Sequence, residues 1–296
     1  MLYENLIISL EDKIMFTNKS AEIFIPNQAD PLSVLPQTTD LCIGAHQDDI
    51  ECMAYGPIAQ CYKNPNKHFT GVVVTDGGGS PRTGVYADFT DDDMKLIRVA
   101  EQKTAAQIGR YLAQIFLSYK SSDVKDPTTF SLKEELKTII ETTAPETIYT
   151  HNLADKHDTH VAVVLHVIQA LREMPIEKRP KKIVSMEVWR SLDWLCDEDK
   201  VVHDTGLYPN ISAALISVYD SQVSGGKRYD LATQGRRLAN ATFFASHAVD
   251  DFNGLEFGLD ITDLVNSDIK PADFITMYIE RFKNDVISRI NSLSKK

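Results

Sequence analysis

The stretch CIGAHQDDIECM, Cys42 to Met53, starts as a buried strand and ends as a helix, and at the junction it sets His46 beside Asp48, Asp49 and Glu51. Strands covered on both faces read as nearly continuous apolar runs, as residues 41–45 do. Acids suit the first turn of a following helix, whose free N–H groups favour negative charge. The histidine falls just past the carboxyl end of a strand, where open α/β sheets carry their ligand sites. On its own the stretch reads equally well as a helix start capped by acids.

Further apolar runs lie at 69–75, 114–119, 147–151 and 182–188, and amphipathic stretches at 51–63, 92–109, 131–143 and 159–173 lie between them. Alternation of this kind predicts an α/β fold: a Rossmann-like, doubly wound, mostly parallel sheet with helices on both faces. Residues 1–40, punctuated by Pro26, Pro31 and Pro36, read as an N-terminal extension packed on the core. Residues 41–296 read as one domain, with its core at about 41–190 and a substrate-side, helical part at about 190–296. Helices are expected near 210–221 and 227–246. A last amphipathic helix is expected to begin at Pro271, since proline favours a first helical turn.

Composition excludes several classes. With 43% hydrophobic and 25% charged residues and no apolar run near the roughly 20 residues of a membrane span, no transmembrane segment is expected. The N-terminal residues carry Glu4, Glu11 and Asp12 and no basic leader, so no secretory signal is expected either. Cys42, Cys52, Cys61 and Cys196 form no C-x-x-C pair, which fits a reducing, cytoplasmic location. A net charge of −11 disfavours nucleic-acid binding and points to a neutral or cationic small substrate.

A second constellation changes the weight of the first. THNLADKHDTHVAV, Thr150 to Val163, gathers His151, Asp155, His157, Asp158 and His160 at the end of the fourth run, so two strand-end loops hold four of the eight histidines. Loops flanking the switch point of a doubly wound sheet meet over one crevice. There His46, Asp49 and His160 supply two imidazoles and one carboxylate, an open metal site with room for water and substrate. Asp48 is the candidate base and His157 the candidate donor to a developing oxyanion or leaving group. The donor set suits Zn2+, and equally a ferrous or other divalent site.

AHQDDIE and HDTH resemble the A-H-P-D-D-E and H-P-D-H marks of the PIG-L, or LmbE-like, metal-dependent de-N-acetylases. The resemblance implies the same roles for His46, Asp49, His160, Asp48 and His157. Three positions depart from it: Gln47 replaces the proline, Ile50 stands where the glutamate would be with Glu51 one later, and Thr159 replaces the acid that orients the catalytic histidine. Asp158 or Asp155 is left to take that last part. VVVTDGGGS (72–80) resembles the family's T-D-G loop and RVAEQKTAAQIG (98–109) its R-x-x-E helix, which brings in Asp76, Gly77 and Arg98 as substrate-side residues. Without the resemblance, Arg98 and Glu101 are a surface ion pair at i,i+3 spacing and DGGGS is a flexible turn. YDSQVSGGKRYD (219–230) resembles a later Ser-Gln element and adds Ser221, Gln222, Arg228 and Tyr229. Trp189 and Trp194 are candidates to stack on a sugar, and His203 and His247 to contact substrate.

The expected function is that of a zinc-dependent N-deacetylase acting on an N-acetylated amino sugar or its conjugate. The alternatives are a hydratase or lyase of a small carboxylated substrate at the same site, or a non-catalytic carbohydrate-binding relative. The resemblance also implies a homo-oligomer, trimer or hexamer, with the last helix as a surface for it.

Overall fold

The structure is a computed structural model that describes residues 16–294; the expectations drawn from the first 15 residues lie outside it. Eight strands form one sheet: β1 (Glu22–Phe24), β2 (Asp40–Gly44), β3 (Phe69–Thr75), β4 (Ala113–Tyr119), β5 (Thr147–His151), β6 (Lys182–Met186), β7 (Lys200–Asp204) and β8 (Leu255–Asp260). Their order is β1-β4-β3-β2-β5-β6-β8-β7. The five central strands run parallel, and β1, β8 and β7 are antiparallel additions at the edges. The sheet is therefore mostly parallel and doubly wound. Its switch point lies at β2, where Cys42 pairs with Gly71 on one side and Tyr149 on the other.

The principal helices are α1 (Asp49–Met53), α2 (Tyr55–Cys61), α3 (Asp91–Ile108), α4 (Phe130–Thr143), α5 (Asp158–Glu173), α6 (Pro209–Ser217), α7 (Asp220–Val223), α8 (Tyr229–Phe244) and α9 (Pro271–Ser294). Alternate strand residues serve opposite faces. Leu41 and Ile43 pack with Leu136 and Ile140 of α4 and Val163 and Val167 of α5, whereas Cys42 packs with Ile50, Met53, Ala105 and Leu215. Burial on both faces is why residues 41–45 read as an unbroken apolar run. The α3 helix starts from a capping box in which Thr90 and Asp93 bond each other's backbone N–H, worth about 1 kcal/mol.

Two features differ from the sequence reading. The helix expected over 51–63 is broken at Ala54, because Pro57 has no N–H to continue a helix from α1 and its ring would crowd the preceding turn. The Glu256 carboxylate accepts the N–H groups of Tyr55 (3.2 Å) and Gly56 (2.6 Å) and so satisfies the start of α2. The part after 190, read as helical, also supplies β7 and β8. Both are short, and β8 pairs antiparallel with β6 and β7 across long sequence separations that local pattern does not report. From the N-terminal segment, β1 joins the sheet edge against β4, and a Glu22–Lys103 ion pair fastens it to α3. No described helix is long and apolar enough to cross a membrane.

Candidate active site

His46 lies in the loop after β2 and Asp49 opens α1, so one turn carries both to the strand ends. The loop after β5 delivers His160 in the first turn of α5. Because β2 and β5 are neighbours, the two loops meet. His46 Nδ1 stands 3.1 Å from Asp49 Oδ2 and 3.2 Å from His160 Nε2, and the latter is 3.3 Å from the same carboxylate oxygen. Ligand atoms held about 2.0–2.1 Å from a tetrahedral zinc stand roughly 3.3 Å apart, so these three donors already have the edge lengths of a metal's ligand set. Burial pushes the Asp49 carboxyl up, but His160 and His151 outweigh it and hold it well below the usual carboxylate range. Burial opposes charge on His160 too, yet Asp49 and Asp155 raise it to about 9. Metal capture by such a set releases that proton.

His151 is a competing ligand, with Nε2 3.4 Å from Asp49 Oδ2. That nitrogen, however, accepts the Ala45 backbone N–H at 2.8 Å, so its lone pair is engaged. Its ring stacks on His160 with centroids 3.9 Å apart. His151 therefore reads as a support beneath the ligand set.

Asp48 caps α1 with φ 86°, a left-handed conformation unusual outside glycine, asparagine and aspartate. Such a residue costs about 1–3 kcal/mol and persists only where its surroundings enforce it. Arg98 does so, donating from Nη2 to Asp48 Oδ2 at 2.9 Å and to the Gln47 carbonyl. Burial raises the Asp48 carboxyl to about 6, with Arg98 opposing a larger rise. Arg98 is 1% exposed, so its ion pair with Glu101, 3.5 Å apart, is buried and not a surface one. Glu101 also accepts the Ser221 N–H and hydroxyl, both at 2.7 Å, and fixes α7 to α3.

Glu51, displaced by one position from the family pattern, is fully buried. It accepts Tyr111 (2.7 Å) and Gln102 (2.8 Å) on Oε1, and the Tyr219 hydroxyl lies 2.6 Å from Oε2. It thus holds the loop together from inside. In the second motif Asp155 turns to the candidate ligand His160, its Oδ2 3.3 Å from Nδ1; it also accepts the Trp189 N–H, and from His157 it accepts the backbone N–H alone. The Asp155 carboxylate therefore orients His160 and not His157. Neither ring nitrogen of His157 has a carboxylate partner among the described residues, and Nδ1 is buried without any partner. Burial, with His160 and His46 nearby, lowers His157 to about 4.

A cavity of about 440 Å³ opens on these groups, lined by His46, Asp48, Asp49, His157 and Thr159 and, opposite them, by the Gly77–Pro81 loop, Lys125, Trp189, Gln222, Lys227 and Tyr229. Gly77 is obligatory here: its φ is +74°, and a Cβ would lie 2.6 Å from Gln47 Oε1. A smaller lobe of about 140 Å³ shares Asp48, Asp49, Trp189 and Tyr229 and continues to Cys52, Thr233 and Arg236.

Residues 41–171, which hold His46, Asp48, Asp49, His151, Asp155, His157 and His160, match the family model of PIG-L, GlcNAc-PI de-N-acetylase. This segment is similar to that family. Solved structures resemble the wider chain in fold. N,N'-diacetylchitobiose deacetylase from Pyrococcus horikoshii is 15% identical with TM-score 0.61, covering 78% of this chain and 86% of its own. The conserved protein TT1542 from Thermus thermophilus is 15% identical with TM-score 0.60, covering 75% and 94%. GalB, the 4-carboxy-2-hydroxymuconate hydratase from Pseudomonas putida, is 16% identical with TM-score 0.58, covering 79% and 100%. No curated protein matches the chain in sequence.

Of the substrate-side residues expected from sequence, Gly77, Arg98 and Gln222 line the cavity. Asp76 and Arg228 do not. The Asp76 carboxylate accepts the Gly78 N–H at 3.1 Å and closes its own turn. Arg228 points to solvent, paired with Asp230 at 2.7 Å, because α8 begins at the next residue and turns its neighbours Lys227 and Tyr229 inward. Trp189 reaches the cavity, while Trp194 packs on the core. His203 is buried edge-on to Tyr149, and His247 is exposed; neither lines the cavity. Sequence reasoning passed over Ser121 and Lys125, although their place just after β4 is the signal that singled out His46.

Proposed function

We propose that the protein is a metal-dependent de-N-acetylase that releases acetate from an N-acetylated amino sugar or sugar conjugate. The observation that carries this reading is the triangle of His46, Asp49 and His160 donor atoms with the Asp48 carboxylate beside it at the end of a cavity. His46, Asp49 and His160 would hold a divalent ion, zinc or ferrous iron, which would supply the Lewis acidity to polarise the amide carbonyl and acidify a water molecule. Asp48 takes the proton of the attacking water, and a carboxyl raised to about 6 is matched to that task. As the C–N bond breaks, the same group returns the proton to the departing amine.

Of the two parts open to His157 from sequence, donor to the oxyanion or to the leaving group, it takes the first. With no carboxylate to hold an imidazolium, and with a metal cation close by, the neutral ring donates a hydrogen bond to the carbonyl oxygen as charge develops on it. His157→Ala is expected to keep its metal and lose roughly 10²–10³ in kcat, as loss of one oxyanion donor does. Turnover close to wild type would remove His157 from the reaction.

The test of the function is acetate release from a panel of N-acetyl sugars and conjugates by the zinc- or iron-loaded protein. Release should stop on chelation and return on adding metal. A panel that yields no acetate, with metal bound, would sink the reading. The free thiols Cys42, Cys52, Cys61 and Cys196 support a cytoplasmic location. The exposed Ile279, Phe282, Val286 and Ile290, spaced along one face of α9, support self-association through that helix.

A further inference from the structure

The protein carries a net charge of −11, yet the cavity wall is locally basic. Lys125 follows the carboxyl end of β4, and Lys227 is half-buried between α7 and α8 with its ammonium 5.1 Å above the Trp189 ring. Lys95, Lys103, Lys133 and Lys200 each meet an acid, whereas Lys67, Lys137 and Lys182, half-buried like Lys227, meet none among the described residues and lie away from the cavity; what sets Lys227 apart is its place on the cavity wall. Among the described residues no acid stands within ion-pair distance of Lys125 or Lys227. The acids of the cavity wall, Asp48 and Asp49, are already engaged: Arg98 binds the first, and His46 and His160 hold the second.

Lys227, half-buried with its ammonium over Trp189 and no acid beside it, gains a partner when an anion joins it. The exposed Lys125 lines the same cavity, and the two charges raise its local positive potential, whatever the sign of the whole molecule. Ser80, Ser121 and Gln222 on the same wall suit hydroxyl groups. We infer that the substrate bears an acidic group, carboxylate or phosphate, that Lys227 and Lys125 receive, an inference that rests on the deacetylase reading of the site. It replaces the neutral or cationic substrate that net charge alone suggests.

The experiment compares N-acetylglucosamine, its 6-phosphate and the corresponding uronate. Binding is measured by calorimetry to the metal-loaded protein in an Asp48→Asn background that prevents turnover, and acetate release is followed with Asp48 present. At least one acidic sugar should bind about tenfold or more tighter than the neutral one. Added salt should erode that preference, and Lys227→Gln or Lys125→Gln should collapse it towards unity. The phosphate and uronate arms show which acid is preferred. Equal binding of neutral and acidic sugars, binding of none of the three, or a preference that survives both lysine substitutions overturns the inference. A lysine-dependent preference without acetate release from any sugar sustains the acid-binding wall and overturns the deacetylase reading instead, in favour of a reaction on a carboxylated substrate.

Discussion

Asp48→Asn is expected to lower kcat by about 10²–10⁴ with metal content unchanged, because it removes a base and no ligand. Asparagine is the right replacement for two structural reasons. It tolerates the left-handed backbone at φ 86° better than alanine does. Its side-chain oxygen also still accepts from Arg98, which is buried and keeps Glu101 as its remaining ionic partner 3.5 Å away. Alanine at the same place leaves Arg98 only Glu101 and the Gln47 carbonyl, and removing one partner of a buried pair costs up to about 3–5 kcal/mol, enough to mistake instability for a catalytic defect. Thermal unfolding of both variants separates the two effects. The pH profile gives a second check. A base must be ionised to act, so wild-type kcat rises with pH along an acidic limb, and that limb should vanish in Asp48→Asn. Loss of metal in this variant would move Asp48 into the ligand set.

His160→Ala is expected to reduce bound metal from about one equivalent to little and to abolish turnover with it. His46→Ala should do the same, because each contributes one corner of a three-donor site and the remaining two bind weakly. The decisive contrast is His151→Gln. If the Ala45 N–H occupies the His151 lone pair, this variant keeps its metal, even though it loses a stacking partner of His160. Metal loss in His151→Gln with retention in His46→Ala would assign the ion to Asp49, His151 and His160 instead. Elemental analysis of the three purified variants decides between the two sets.

Much of this was legible in the sequence because it is encoded locally. Apolar runs alternating with amphipathic stretches report strands and helices through burial of their own side chains, and the five central strands fall within a residue or two of the expected runs. The place of His46 and His160 at two strand ends followed from the same pattern, and a doubly wound sheet leaves such loops little choice but to meet. Where local pattern was weak, in β7 and β8, pairing across the chain made the structure.

What only the tertiary structure decided are matters of direction and partnership. Sequence places Asp155 near both His157 and His160; packing turns its carboxylate to His160. Lys227 and Arg228 are adjacent and alike in charge, and the start of α8 sends one to the cavity and the other to solvent. Arg98 and Glu101 have the spacing of a surface pair, yet α3 buries them against Asp48 and Ser221, residues 50 and 120 positions away in the chain. A residue's type and its spacing along the chain limit which partners it can reach. Which one it meets is settled by the competition of many distant groups for the same buried space, and that competition has no local trace.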